Sequence, residues 1–263
     1  MLDFHSHIIP AVDDGSASLE ESLIALQRMW AQGITRVLTT PHFRASVVKD
    51  AVEFELQMAP IDASWELLVQ AVREKLPQLR LDRGVELALD DPSPVATDGR
   101  LRLAGTRFVL VEFPNFRIPP NSIRPLAHLR ASGVTPIVAH PERYDDIDAH
   151  FETFREWKKA GAFLQLNAGS VVGAYGAAIE RNAWRCLKAG SVDYLSSDYH
   201  ARGNCAVAEA REKLAARGAT SQMRTLSDNG DRLVDGLDPM PVVPFARPES
   251  RWRRLKRAFR GKQ

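Results

Sequence analysis

A helix that ends in glycine and runs straight into a β-strand occurs four times in this chain, in "AQGITRV", "ASGVTPI", "KAGAFLQ" and "KAGSVDY". Gly33, Gly133, Gly161 and Gly190 stand just past each apolar-periodic helix, where the backbone turns left-handed at no steric cost to glycine. Seven β-rich runs recur, at 2–5, 34–40, 83–89, 107–113, 134–139, 162–167 and 192–197. Helical patterns lie between most of them, at 18–31, 45–76 with Pro60 as an interruption, 122–131, 148–159, 174–188 and 204–216. Such alternation makes the strands parallel and the class α/β, as an open doubly wound sheet or, preferably, a TIM-like barrel of seven or eight strands. No G-x-G-x-x-G or G-x-x-x-x-G-K-S/T follows the first strand, which argues against a dinucleotide site or a P-loop.

In parallel α/β folds reactive groups collect just past the carboxyl ends of strands, where the loops converge on one face. His5 and His7 stand at the first such end, His42 at the second and Glu86 at the third. Glu112, His140, Asn167 and then Asp198 with His200 follow at the later ones. Glu86 and Glu112 lie inside apolar runs, and burying an unpaired carboxylate costs several kcal/mol. A shared cluster of cations removes that cost. Imidazole and carboxylate without thiolate suit Mn²⁺, Fe²⁺ or Zn²⁺, and eight or nine ligands exceed the needs of one ion. Adjacent divalent ions clamp the oxygens of a phosphoryl group, so phosphoester hydrolysis is the expected chemistry.

Taken in order, H-x-H at 5–7, "DDG" at 13–15, "TPH" at 40–42, the strand residues Glu86 and Glu112, "HPER" at 140–143 and "SDxH" at 197–200 form a specific set. Over about residues 1–215 the chain resembles the PHP (polymerase and histidinol phosphatase) superfamily, and within it the bacterial capsule and exopolysaccharide tyrosine-protein phosphatases. The resemblance implies a distorted (β/α)7 TIM-like barrel. It further implies a centre of three metal ions, manganese or else iron or zinc. The reaction implied is hydrolysis of phosphotyrosine on a membrane-associated bacterial tyrosine autokinase that governs polysaccharide export. Carried over by motif, His5, His7, Glu86 and Asp198 surround one ion; Glu86, Glu112 and His140 a second; Asp14, His42 and His200 a third. Arg143 and Arg202 become the phosphate-gripping pair, with Arg44 competing for the second place and Asp145 or Asp146 competing as a salt-bridge partner for Arg143. His42 and His200 are the candidate proton donors to the leaving phenolate. Asp13 is structural, and Ser18 with Glu21 has capping-box spacing ahead of the first helix.

Three other readings remain. The same metals would serve a small-molecule phosphatase acting on histidinol phosphate or a phosphodiesterase, and a closed cluster would serve a metal-binding regulatory module. "CAVAEAR" gives Cys205 and Arg211 the C-x₅-R spacing of cysteine phosphatases, but the run is alanine-rich, lacks glycine and reads as helix. The net charge of +2 hides an asymmetry: residues 247–263 carry +7 and residues 1–246 carry −5. An acidic body without a basic stripe argues against nucleic acid. The tail "RWRRLKRAFRGK" sets Trp252, Leu255 and Phe259 at helical spacing among basic residues, a pattern for an anionic membrane surface or an acidic partner. The expected organisation is a barrel over 1–227, then an extended linker and basic tail over 228–263. Only two cysteines and no apolar run near 18 residues give the expectation of a cytoplasmic protein.

Overall fold

In the computed structural model, which describes residues 1–145, 147–148 and 150–245, every strand pairing is parallel. The strands are β1 (Leu2–Asp3), β2 (Arg36–Thr39), β3 (His42–Arg44), β4 (Arg80–Arg83), β5 (Glu86–Ala88), β6 (Phe108–Glu112), β7 (Thr135–Ala139), β8 (Phe163–Asn167) and β9 (Tyr194–Ser196). They form two sheets, one ordered β1-β2-β4 and one ordered β3-β5-β6-β7-β8-β9. The seven expected runs are all present, but one breaks in the middle and another is followed by an extra strand. Beyond the run at 34–40, which holds β2, Pro41 separates off β3, and the run at 83–89 divides into β4 and β5 at Gly84 and Val85. Proline lacks the N–H a ladder needs, and glycine weakens a strand interior. The paired strands thus make two sheets instead of one closed ring. A single bridge, Ser6 to Tyr199, ties the first run to the end of the last.

The helices are α1 (Leu19–Ala31), α2 (Ala51–Lys75), α3 (Ile123–Ala131), α4 (Glu152–Lys159), α5 (Ala168–Val172), α6 (Ala177–Ala189), α7 (Val207–Ala216) and α8 (Thr220–Val234). All four helix-ending glycines adopt positive φ, between 61° and 90°. The Ser18 hydroxyl accepts from the Glu21 amide, and Glu21 reaches back to the Ala17 amide, so the start of α1 is capped from both sides. Pro60 does not interrupt α2, because it sits on the exposed face, where water can take the place of the missing donor.

Side-chain alternation divides the apolar interior in two. Phe4, Leu38, Phe108, Leu110, Ile137, Ala139 and Tyr194 form one buried cluster fed by runs from both sheets. The intervening residues Val37, Val109, Val111, Val138, Leu164 and Leu166 pack outward against the helices. Residues 90–106 form a fastened excursion. Ser46 bonds Asp90, Lys49 pairs with Asp91, Arg100 holds Glu55 and Asp62 of α2, and Ala96, Leu101 and Leu103 are buried.

The boundary expected at 227/228 falls inside α8, and residues 237–245, which follow that helix without regular structure, are anchored to the body. Asn229, fully buried, donates to the Asp193 and Met240 carbonyls and accepts from the Met240 amide at 2.7 Å. Val242 and Phe245 are buried beyond it. The basic tail and its expected membrane contact lie outside the described residues, as does Asp146.

Candidate metal centre

The nine candidate ligands meet in one place. Glu86 opens β5 beside His42 at the start of β3, the two being register partners, and Glu112 closes β6. His140 follows β7 directly and Asp198 lies two residues past β9, both in the left-handed region at φ 35° and 55°. Non-glycine residues rarely adopt that conformation, and where they do the strain is commonly held at a functional site. His5 and His7 follow β1, and the loop after them turns back so tightly that the Ser16 amide donates to the His7 carbonyl. Gly15 allows this close approach: a Cβ there would lie 2.1 Å from the His7 carbonyl oxygen.

Glu86 is the hub. Its Oε2 lies 3.2 Å from His5 Nε2, 3.4 Å from His7 Nε2 and 3.2 Å from His42 Nδ1, and its Oε1 lies 3.0 Å from His140 Nε2. Asp198 Oδ1 stands 3.3 Å from His5 Nε2 and 3.4 Å from His7 Nε2. Glu112 approaches His42 at 3.4 Å and His140 at 3.9 Å. Asp14 lies 3.5 Å from His42 and 3.3 Å from His200.

Three groups have ligand atoms close enough to share an ion: His5, His7, Glu86 and Asp198; His7, Asp14, His42 and His200; and His42, Glu86 and Glu112. The first has the membership that the resemblance implies. The second adds His7 to the expected set, and the third has His42 where His140 was expected, with His140 still touching both carboxylates.

The arrangement fits cations. Glu86 Oε2 is buried without a hydrogen-bond partner, although three imidazole nitrogens stand within 3.4 Å, and the Nε2 atoms of His5 and His7 converge to 3.4 Å. Burial alone would push His5 down, but the charges of Glu86 and Asp198 outweigh it and hold His5 at about 9. His7 is likewise raised well above its ordinary value, burial being overcome by Asp13, Asp198 and Glu86. Glu86 is held well below the carboxylate range, its burial outweighed by His5, His140 and His7. Imidazolium protons here balance the charge that divalent ions would balance. Outer partners orient the rings: Gln165 Oε1 lies 2.9 Å from His5 Nδ1, Asp13 Oδ2 2.7 Å from His7 Nδ1, and the Asp198 carbonyl 3.0 Å from His200 Nδ1. Each contact aims the other ring nitrogen inward, where the neutral ring would offer it to an ion.

Beside the cluster lies a cleft of about 380 Å³ lined by Arg143, Tyr175, Asp198, His200 and Arg202. Arg143 Nη1 donates to Asp198 Oδ2 at 2.6 Å. The competing salt-bridge partner Asp145 does not pair with it; its amide donates to the Phe116 carbonyl. Arg202 lines the same cleft and donates to the Asp14 carbonyl. Arg44 lies on the far side of the cluster in a second cleft with His42 and Glu112. Asn167 donates to Asp198 at 3.0 Å. Cys205 is buried and its thiol is pushed up to about 12, which removes it as a nucleophile.

Residues 1–235 match the family model described as capsular polysaccharide synthesis, CpsB/CapC. Tyrosine-protein phosphatase YwqE of Bacillus subtilis (strain 168) is 28% identical over 202 residues, 76% of this chain and 77% of that protein. Putative tyrosine-protein phosphatase CapC of Staphylococcus aureus is 27% identical over 208 residues, 78% of each. A crystal structure from work on YwqE of Bacillus subtilis and CpsB of Streptococcus pneumoniae, described as metal-dependent tyrosine phosphatases, superposes with a TM-score of 0.75 at 24% identity. It covers 94% of this chain and 100% of that one, and shares its α/β fold. The chain belongs to the capsular polysaccharide synthesis CpsB/CapC family.

Proposed function

We propose that this protein is a metal-dependent protein-tyrosine phosphatase of capsule or exopolysaccharide synthesis, hydrolysing phosphotyrosine on a bacterial tyrosine autokinase. The observation that carries the reading is Glu86 Oε2, buried and unbonded among three imidazoles, with the guanidinium of Arg143 one carboxylate away. The curated relatives named tyrosine-protein phosphatases support the substrate class. In this reading His5, His7, Asp14, His42, Glu86, Glu112, His140, Asp198 and His200 hold three divalent ions, manganese or else iron or zinc. The two sheets are then the arcs of one distorted seven-run barrel. The protein works in the cytoplasm, at a membrane-associated kinase.

When bound, the ions supply Lewis-acid charge for the phosphoryl oxygens and an activated water for in-line attack. Arg143 and Arg202 flank the same cleft and grip the remaining oxygens, Arg143 through the planar fork that suits phosphate. Phenolate, with a pKa near ~10, needs only modest acid assistance. His42 or His200 can give that proton only from a ring that no ion holds; without metal, burial lowers His42 but Glu112 and Glu86 raise it overall. His200 is pulled down by burial and by His7, which suits a neutral ligand.

The test is hydrolysis of a phosphotyrosine peptide and of histidinol phosphate by the full chain with Mn²⁺, each with and without chelator. Preferential, chelator-sensitive release of phosphate from the peptide is expected. Faster turnover of histidinol phosphate, or activity that survives chelation and metal stripping, overturns the reading.

A further inference from the structure

Two aromatic side chains packed on Arg143 have no part in the cation cluster, and one of them, Tyr175, lines the cleft. Phe116 and Tyr175 are 36% and 38% exposed, unusual for large rings, and both pack on the same guanidinium. Arg143 Cζ lies 4.5 Å from the Phe116 ring centre and 4.3 Å from that of Tyr175. Each ring is held in place at some cost. Asn115 and Phe116 are consecutive non-glycine residues in the left-handed region, at φ 58° and 52°, and the Asp145 amide donates to the Phe116 carbonyl at 2.8 Å. That bond ties the "PNF" turn to the segment just after Arg143. Phe116 also meets the His140 ring edge to face at 5.5 Å. Tyr175 lies over Gly169, where a Cβ would come within 2.8 Å of the ring, and its hydroxyl is 3.4 Å from Asn167 Nδ2. Backbone strain and a glycine without room for a side chain both serve to keep an exposed ring beside Arg143.

We propose that Phe116 and Tyr175 form an aromatic slot that selects aryl over alkyl phosphate monoesters; the proposal rests on the phosphatase reading above. Stacking fixes the plane of the Arg143 guanidinium toward the phosphate, and the exposed parts of the rings receive the phenyl group that an aryl ester carries just outside its phosphate. An alkyl phosphate reaches the same arginine but leaves the rings uncovered. Phe116 and Tyr175 are therefore specificity-determining residues, and positioning residues for Arg143.

The test compares two non-hydrolysable probes, phosphonomethyl-phenylalanine and 2-amino-4-phosphonobutanoate, by calorimetric titration of the full chain with Mn²⁺. The wild type is expected to favour the aryl probe. Phe116→Ala and Tyr175→Ala should each weaken the aryl probe about three- to tenfold, the range of one aromatic pair, and change the alkyl probe less. Phe116→Tyr and Tyr175→Phe should retain the preference. In kinetics on phosphotyrosine and phosphoserine peptides, the alanine variants should raise KM for phosphotyrosine more than they lower kcat. Equal loss on both probes, or no change on either, overturns the slot. A wild type that binds the aryl probe tightly but hydrolyses no phosphotyrosine overturns the phosphatase reading and leaves the slot standing.

Discussion

Asp13 Oδ2 lies 2.7 Å from Nδ1 of His7, and the far nitrogen of that ring is aimed at Glu86 and Asp198. The same oxygen accepts from the His42 amide at 3.2 Å, so one carboxylate aligns two candidate ligands. Asp13→Asn should weaken metal binding about 10- to 100-fold while leaving the fold intact, the usual consequence of losing an outer-sphere partner. Metal titration followed by calorimetry measures it; unchanged affinity would show that Asp13 serves the loop alone.

Glu86→Gln keeps the shape of the hub and removes its charge. Phosphatase activity should fall at least about a hundredfold, and bound metal per chain should drop, because the carboxylate belongs to two of the three ligand groups. Elemental analysis of the purified variant provides the count. A variant that retains full metal and full activity would exclude Glu86 as a bridging ligand.

Metal uptake should release protons. Without metal, His5 is held at about 9, above its ordinary 6.5, so the stability it contributes is complete below about 6.5 and is lost as pH rises through about 9. Metal requires the neutral ring, so affinity should climb as pH rises toward about 9, by up to about tenfold per pH unit for each proton displaced, and level off above it. Calorimetry in buffers of different ionisation enthalpy reads the proton count. Uptake with no proton release would contradict the assigned charge state.

Cys205→Ala should keep its activity, since the thiol is buried and held near 12. Activity lost on this substitution, yet resistant to chelators, would restore the cysteine mechanism that the C-x₅-R spacing suggests.

Asn229→Ala should destabilise the protein by about 1–3 kcal/mol, because it leaves the Asp193 and Met240 carbonyls and the Met240 amide without partners. Thermal unfolding shows the loss as a lower Tm, and the metal affinity should stay unchanged. A normal Tm would mean that the other bonds to this segment, such as those from Gln222 to the Val243 carbonyl and from Arg232 to the Asp238 carbonyl, hold it without Asn229.

The ligands were legible because they are His, Asp or Glu residues inside or just after apolar β-rich runs, and parallel topology gathers such positions on one face. Gln165 was missed because it sits inside "FLQLN", yet alternation carries the signal. Leu164 and Leu166 pack outward, so Gln165 and Asn167 share the inner face, where they reach His5 and Asp198. The sequence offers no sign of Asp13's contact with His7, because that contact depends on how the loop folds back at Gly15. The partner of Arg143 lies 55 residues away, and no local pattern could select Asp198 over the neighbouring Asp145. Helix α8 escaped notice because "TSQMRTLSDNGDRLV" is rich in weak helix formers; buried Leu226, Asn229 and Leu233 supply through packing what local propensity lacks.

The most direct measurement is an anomalous difference map from crystals of the full chain grown with Mn²⁺, collected at the manganese edge. The account predicts peaks within coordination distance of Glu86, with His5, His7 and Asp198 around one and His42 and Glu112 around another. A map with no anomalous density among these side chains, in protein that hydrolyses phosphotyrosine, would contradict it.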